Sequence, residues 1–134
     1  LLASDFSAHA VDIARKRTSG LANVRVAHHQ LPQDWPRDAG RFDLIVLSEL
    51  GYFLDRDDMH RLAACCEDTL EADGILVACD WRPDFAQRSL STREVHGALA
   101  ALNLARLALH EEDDFVLQVW ARDGRSVAQR EGIR

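Results

Sequence analysis

Apolar and polar residues alternate along this chain in blocks whose period changes from one block to the next. LLASD, Leu1 to Asp5, is a short apolar run ending on an acid, and Ser7 is followed by Ala8, Val11 and Ala14 at helical spacing up to about Thr18. That order predicts a strand, a tight connection and a capped helix. Gly20 supplies the helix stop, and Val24 to Ala27 begins a second strand that runs out at His28 and His29. A polar loop with two prolines, LPQDWPRDAGR, leads into FDLIVLSELGYFL, Phe42 to Leu54. Its apolar run, Leu44 to Leu47, has the pattern of a fully buried strand and ends abruptly at Ser48 and Glu49.

After Asp55, Met59, Leu62, Ala63, Cys66 and Leu70 form one apolar helical face, with Asp57 and Asp58 in the first turn where the helix dipole favours acids. Asp73-Gly74 reads as the break, and GILVACDW as another buried strand ending on an acid, Asp80. Ser91 to Glu94 is a capping box opening a helix with an apolar stripe of Val95, Ala98, Leu99 and Leu102. Arg106 to His110 and Phe115 to Ala121 read as strands joined through the acidic turn EEDD, a hairpin rather than a crossover. From about Asp123 the chain is polar and expected to be loosely held. Strands alternating with helices imply an α/β fold: a Rossmann-like, doubly wound, mostly parallel sheet with helices on both faces and an antiparallel C-terminal hairpin. In that fold the polar strand ends, Asp5, His28 and His29, Ser48 and Glu49, and Asp80, gather along one edge of the sheet, where such sheets bind small molecules.

Composition narrows the classes. At 134 residues and 47% hydrophobic the chain has room for one substantial core, so one domain over residues 1–122 and a polar tail over 123–134 are expected. The net charge of −6 and the arginines scattered among acids give no phosphate-tracking stripe, which argues against nucleic acid as a partner. No apolar run approaches the roughly 20 residues needed to span a membrane. Cys65 and Cys66 are adjacent and Cys79 stands alone, a spacing that suits neither a disulfide framework nor a metal knuckle, so a reducing, cytoplasmic setting is expected. The chain opens on Leu1 inside a strand pattern and its one methionine is Met59, so it reads as a piece of a longer product.

Two readings of Asp5 stand side by side. A carboxylate after the first strand offers two acceptor oxygens to a ribose diol, but the same group also suits the cap of the helix near Ser7. The glycines at 20, 40, 51, 74, 97, 124 and 132 form no G-x-G-x-x-G and no P-loop. His28 and His29 lack further ligands at metal-binding spacing, so no metal is expected.

LLASD, the helix with Ala14 and Arg15, NVRVAHHQLPQDWP, RFDLIVLSELGYFL, LEADGILVACDWRP and the EVH of Glu94 to His96, taken in order, resemble a class I S-adenosylmethionine-dependent methyltransferase. The succession WP, FDLIVLSE, DWR, VH is similar to the nodulation protein S (NodS) group of N-methyltransferases, and the resemblance covers about Leu1 to Arg122. It implies S-adenosyl-L-methionine as cofactor, Asp5 on the adenosyl ribose, Phe6 on the adenine, and His29, Gln30 and Leu31 at the adenine edge. His29 or Gln30 stands where the family often has Asp. Ser48 and Glu49 fall near the methionine moiety and the transferred methyl, and Gly51, where many relatives carry a larger residue, is expected to widen the acceptor side. The family's first strand and glycine-rich loop would precede Leu1, so the cofactor site is expected to be incomplete and two sheet edges unpaired, a route to a homodimer.

For the chemistry, the resemblance implies methyl transfer to an amine of a small molecule or saccharide, with Glu49 orienting the amine, Tyr52 adding a ring face or hydroxyl, and His96 facing the pocket as a proton acceptor. Asp80, Trp81 and Arg82 either line the acceptor entrance, or Asp80 and Arg82 pair structurally at the strand end. Glu49 bonded to backbone amides and Tyr52 as plain packing are the blander readings. A non-catalytic or incomplete nucleotide-binding module, needing a preceding segment or a partner, is the alternative function.

Overall fold

The computed structural model describes all residues, Leu1–Arg134. The chain forms two compact units, Leu1–Pro36 and Arg37–Arg134. Their backbone ladders close separately, one sheet of two strands and one of four.

The first unit is a β-α-β turn: β1 (Leu2–Asp5), α1 (Ala8–Thr18) and β2 (Arg25–His28). The strands run parallel, with Asp5 opposite His28. Ser7 caps α1 by accepting from the Ala10 amide at 3.3 Å, and Arg15, Lys16 and Arg17 occupy its last turn, where the helix dipole favours cations. Val11 is the buried anchor of this helix.

The second unit contains β3 (Phe42–Ser48), α2 (Arg56–Thr69), β4 (Leu70–Trp81), α3 (Thr92–Ala100), β5 (Ala105–Glu111), β6 (Phe115–Ala121) and a one-turn α4 (Val127–Arg130), with 3-10 turns at Arg37–Ala39 and Gly51–Phe53. The strand order is β3-β4-β6-β5. β3 and β4 are parallel, and β6 is antiparallel to both its neighbours, so the sheet mixes a crossover with the expected hairpin. The core is built from Met59, Leu62 and Cys66 of α2, Leu70 and Leu76 of β4, Leu99 of α3 and Trp120 of β6. β3 departs from the fully buried pattern: Ile45 and Leu47 are buried, while Leu44 and Val46 are 53% and 57% exposed. Alternation along a strand sends these pairs to opposite faces, and only one face meets the core of this unit.

Local chemistry explains the element ends. Asp55 caps α2 through the Asp58 amide at 2.8 Å, and the Ser91–Glu94 capping box of α3 forms in both directions. α2 stops at Thr69 and not at Asp73-Gly74. Gly74 serves the strand instead, because a Cβ there would lie 2.8 Å from the buried Leu70 side chain. In the tail, Ser126 and Gln129 form a second capping box at α4. No helix is long and apolar enough to cross a membrane.

Candidate active site

Within the first unit the β1 end is fixed by three hydrogen bonds. The His29 amide donates to the Asp5 carbonyl at 3.1 Å. The Ser7 amide donates to Asp5 Oδ1 at 2.7 Å, and His28 Nε2 lies 2.7 Å from the Phe6 carbonyl. Asp5 therefore braces the turn into α1 with one carboxylate oxygen, while Ser7 is the cap itself, so the two readings of Asp5 share its oxygens rather than exclude each other. Phe6 is 51% exposed. His29 Nδ1 is buried with no hydrogen-bond partner in the chain, a costly state for a ring nitrogen. The Gln30 amide is taken by Asp34 Oδ2 at 2.8 Å, and Leu31 is half-buried beside it. An exposed ring, an exposed acid with one oxygen uncommitted and an orphaned buried nitrogen suit the adenosyl end of a nucleoside ligand.

Within the second unit, Ser48 of β3 stands opposite Cys79 of β4, so Glu49 and Asp80 each follow directly on a register pair of neighbouring strands. The Glu49 amide still reaches the Cys79 carbonyl at 3.0 Å, and then the chain turns through φ 57° at Glu49. This left-handed conformation costs a non-glycine residue about 1–2 kcal/mol. It is the one such residue in the chain, at the position where the strand meets its polar edge.

The turn brings Tyr52 back, and its hydroxyl donates to Glu49 Oε2. No backbone amide takes that role. The ring is buried edge-on against Phe53 (4.8 Å between centroids) and Phe85 (5.2 Å), with the Arg88 guanidinium 4.8 Å over its face. Burial first, then the hydrogen bond to Glu49 and the charges of Glu49 and Asp80, push the phenol well above its ordinary pKa. Tyr52 is thus a neutral hydroxyl donor, not a phenolate.

Asp80 is 1% exposed. Its Oδ2 lies 3.1 Å from His96 Nε2, and His96 Nδ1 lies 2.8 Å from Gln118 Oε1. All three side chains are buried, and they come from β4, α3 and β6. Asp80 Oδ1 has no partner. Sequence reading brought Asp80 and His96 forward as separate candidates; their pairing and the third member, Gln118, come from the structure. Gln118 shares the inward face of β6 with Trp120, and one polar residue on that face was the signal available in the sequence.

The strand end divides after Asp80. Trp81 is exposed at its ring, and its carbonyl accepts from Thr92 Oγ1 and Arg88 Nη2, both at 2.6 Å. Arg82 turns to the hairpin, pairing with Glu111 at 3.1 Å and donating to the Glu112 carbonyl, so it forms no pair with Asp80. Ser48 is exposed at the β3 end. Gly51 corrects one expectation. A Cβ there would lie 2.4 Å from Val95 Cγ1 and 3.1 Å from Met59 Sδ, so the missing side chain makes room for α3 and does not widen an acceptor pocket. A separate surface groove of about 210 Å³ between α2 and α3, bordered by Met59, Leu90 and Ala98, includes none of Glu49, Tyr52 and Asp80.

A methyltransferase domain family matches residues 1–74. Among solved structures, a Pseudomonas syringae protein assigned as a methyltransferase is 45% identical, with 91% of this chain aligned to 72% of that one and a TM-score of 0.77. The N-methyltransferase NodS of Bradyrhizobium japonicum WM9, in complex with S-adenosyl-L-homocysteine, is 22% identical over 90% of this chain and 65% of its own, with a TM-score of 0.76. An S-adenosylmethionine-dependent methyltransferase of Clostridium acetobutylicum is 12% identical over 90% and 74%, with a TM-score of 0.71. At these last two identities the likeness is one of fold. No curated protein matches.

Proposed function

Because this chain belongs to the class I S-adenosylmethionine-dependent methyltransferases, we propose that it transfers the methyl group to an amine nitrogen of a small molecule or saccharide. The observation that carries the amine reading is the Glu49–Tyr52 pair: a strained, exposed carboxylate at a strand end, held by the hydroxyl of a buried tyrosine.

S-adenosyl-L-methionine, when bound, supplies a methyl on a sulfonium, open to displacement by a neutral nucleophile. Asp5, Phe6 and His29 are the residues that suit its adenosyl end: the acid for the ribose hydroxyls, the exposed ring for the base, and the orphaned His29 Nδ1 for a polar base edge. At the β3 end, Glu49 accepts an N–H of the acceptor, which aims the nitrogen lone pair, and its negative charge stabilises the cation that develops as the nitrogen is alkylated. Tyr52 keeps Glu49 in this orientation by filling one oxygen, so that the other serves the acceptor. Remaining protonated, it adds no competing negative charge. NodS, an N-methyltransferase by name, has this fold. The amine assignment rests on the carboxylate and not on that likeness.

The test is transfer from methyl-labelled S-adenosylmethionine to a panel of primary amines, including benzylamine and D-glucosamine, against phenol and thiol acceptors. Label is expected in the amines, with Glu49→Gln lowering kcat by about 10²-fold, the scale for losing one electrostatic contact to the reacting group. Unchanged turnover in Glu49→Gln with cofactor still bound removes Glu49 from the mechanism, and label in the phenol or thiol alone removes the amine reading.

A further inference from the structure

Asp80 is a buried carboxylate with one oxygen occupied and one empty. Its occupied side is over-determined: His96 bridges Oδ2 to Gln118, and the three residues come from three different elements of the second unit. Such a network orients a group rigidly, and leaving the other oxygen unsatisfied in a buried place is unfavourable unless a ligand completes it. Asp80 also stands beside Glu49. The two follow directly on the Ser48–Cys79 register pair, and after burial, the main cause, the charges of both add to the rise of the Tyr52 phenol and the Cys79 thiol.

Resting on the amine reading above, we propose that Asp80 Oδ1 is a second N–H acceptor beside Glu49, so that the site selects primary amines and stops after one methyl. The reacting nitrogen is neutral and keeps its lone pair for the methyl carbon. A primary amine then has two N–H groups, one for each carboxylate. A secondary amine has one, so it leaves a carboxylate oxygen unmet and its lone pair unguided. The methylated product of the first turn is itself such a secondary amine. Its extra methyl falls where one carboxylate expects a hydrogen, and it is a poor substrate for the next turn. In each turn the N–C bond forms as the S–C bond breaks, sulfur takes the bonding pair, and the new ammonium holds its two N–H bonds to the acids until it leaves. His96 and Gln118 are positioning residues: they touch Asp80, not the acceptor. The coil at residues 82–91 is tied to Tyr52, with the Ser89 and Leu90 amides donating to the Tyr52 carbonyl.

Two measurements on the full chain test this together. In the first, benzylamine is titrated into the chain labelled with 15N in its histidine rings, and the His96 ring signals are followed. Saturable movement that Asp80→Asn abolishes is expected; signals that stay fixed at saturating benzylamine overturn the anchor. In the second, methyl transfer to benzylamine and to N-methylbenzylamine is compared by mass spectrometry. The primary amine is expected to have the larger kcat/KM by about tenfold, the scale of one hydrogen bond to a charged group. Asp80→Asn and Gln118→Leu are expected to bring that ratio near one while S-adenosylhomocysteine binding is unchanged, which a merely structural role for Gln118 does not produce. Equal rates for the two amines in the unaltered chain overturn the selectivity and leave the amine reading standing. Label in hydroxyl acceptors alone overturns both. Where no acceptor is labelled, the His96 signals decide: movement retains the anchor, and its absence removes it.

Discussion

Replacing Gly51 by alanine tests how the 3-10 turn after β3 is locked to α3. The added Cβ would lie 2.4 Å from Val95 Cγ1, more than 1 Å inside the ~3.5–4.0 Å at which carbon atoms rest. Neither neighbour can yield cheaply. Val95 and Met59 are each 1% exposed, and Val95 is β-branched with a stiff χ1 in its helix. Overpacking of this kind costs about 1–3 kcal/mol, and the stiffness of Val95 puts Gly51→Ala in the upper half of that range. For a chain of this length that is a fall in Tm of roughly 4–12 °C. Urea denaturation followed by fluorescence, with the buried Trp120 among the reporters, measures it. Val95→Ala removes the clashing methyl, so Gly51→Ala in that background should cost at least ~1 kcal/mol less than alone. Gly97→Ala is the contrasting control. Nothing lies within 4 Å of a Cβ there, and alanine in the interior of α3 should stabilise by ~0.5–1 kcal/mol. Gly51→Ala with unchanged or higher stability would refute the packing argument and return Gly51 to the acceptor side.

Two other expectations follow from the same region. The Ser91 backbone amide, then the Ser91 hydroxyl, holds the Glu94 carboxyl below its ordinary value of 4.5. A depressed folded value means that this group's stabilisation is present above pH 4.5 and is lost as pH falls through the folded value. Protection of the first-turn amides of α3, taken relative to the intrinsic exchange rate at each pH, should therefore fall on acidification below that point, and Glu94→Gln should flatten the response; an unaltered pH dependence of protection in Glu94→Gln would contradict it. Arg88 holds the Trp81 carbonyl at 2.6 Å and Thr92 Oγ1 at 3.1 Å while covering the Tyr52 ring. Arg88→Ala should raise exchange of the Ser89 and Leu90 amides by about tenfold or more, the worth of one charged hydrogen bond, with little change in the hairpin β5–β6.

Much of the fold was legible because it is written in local chemistry. Ser7, Asp55 and Ser91 announce their helices by capping, and the apolar stripe of Val95, Ala98 and Leu99 gives the inward face of α3. Glu49 and Asp80 stood out because a carboxylate ends an apolar run. The partners of those acids were not legible. Gln118 is 22 residues from His96 and Arg88 is 36 from Tyr52, and neither pairing leaves a periodic trace. Glycines were the other weak point. Gly74 looked like a helix stop and Gly51 like an open space, yet both are close approaches to side chains distant in the packing but invisible in the spacing, Leu70 and Val95. The buried reading of β3 failed for a related reason: Leu44 and Val46 are as apolar as Ile45 and Leu47, so composition could not say that only one face would meet the core.

The central claim is that this chain is built to hold S-adenosylmethionine, with Asp5 on the ribose. Calorimetric titration of S-adenosyl-L-homocysteine into the chain, with Asp5→Ala alongside, tests it directly. Saturable binding, weakened by about tenfold or more in Asp5→Ala through loss of charge-assisted hydrogen bonds, is the predicted result. A folded chain that takes up no S-adenosylhomocysteine, or one that binds it equally well without the Asp5 carboxylate, would contradict it.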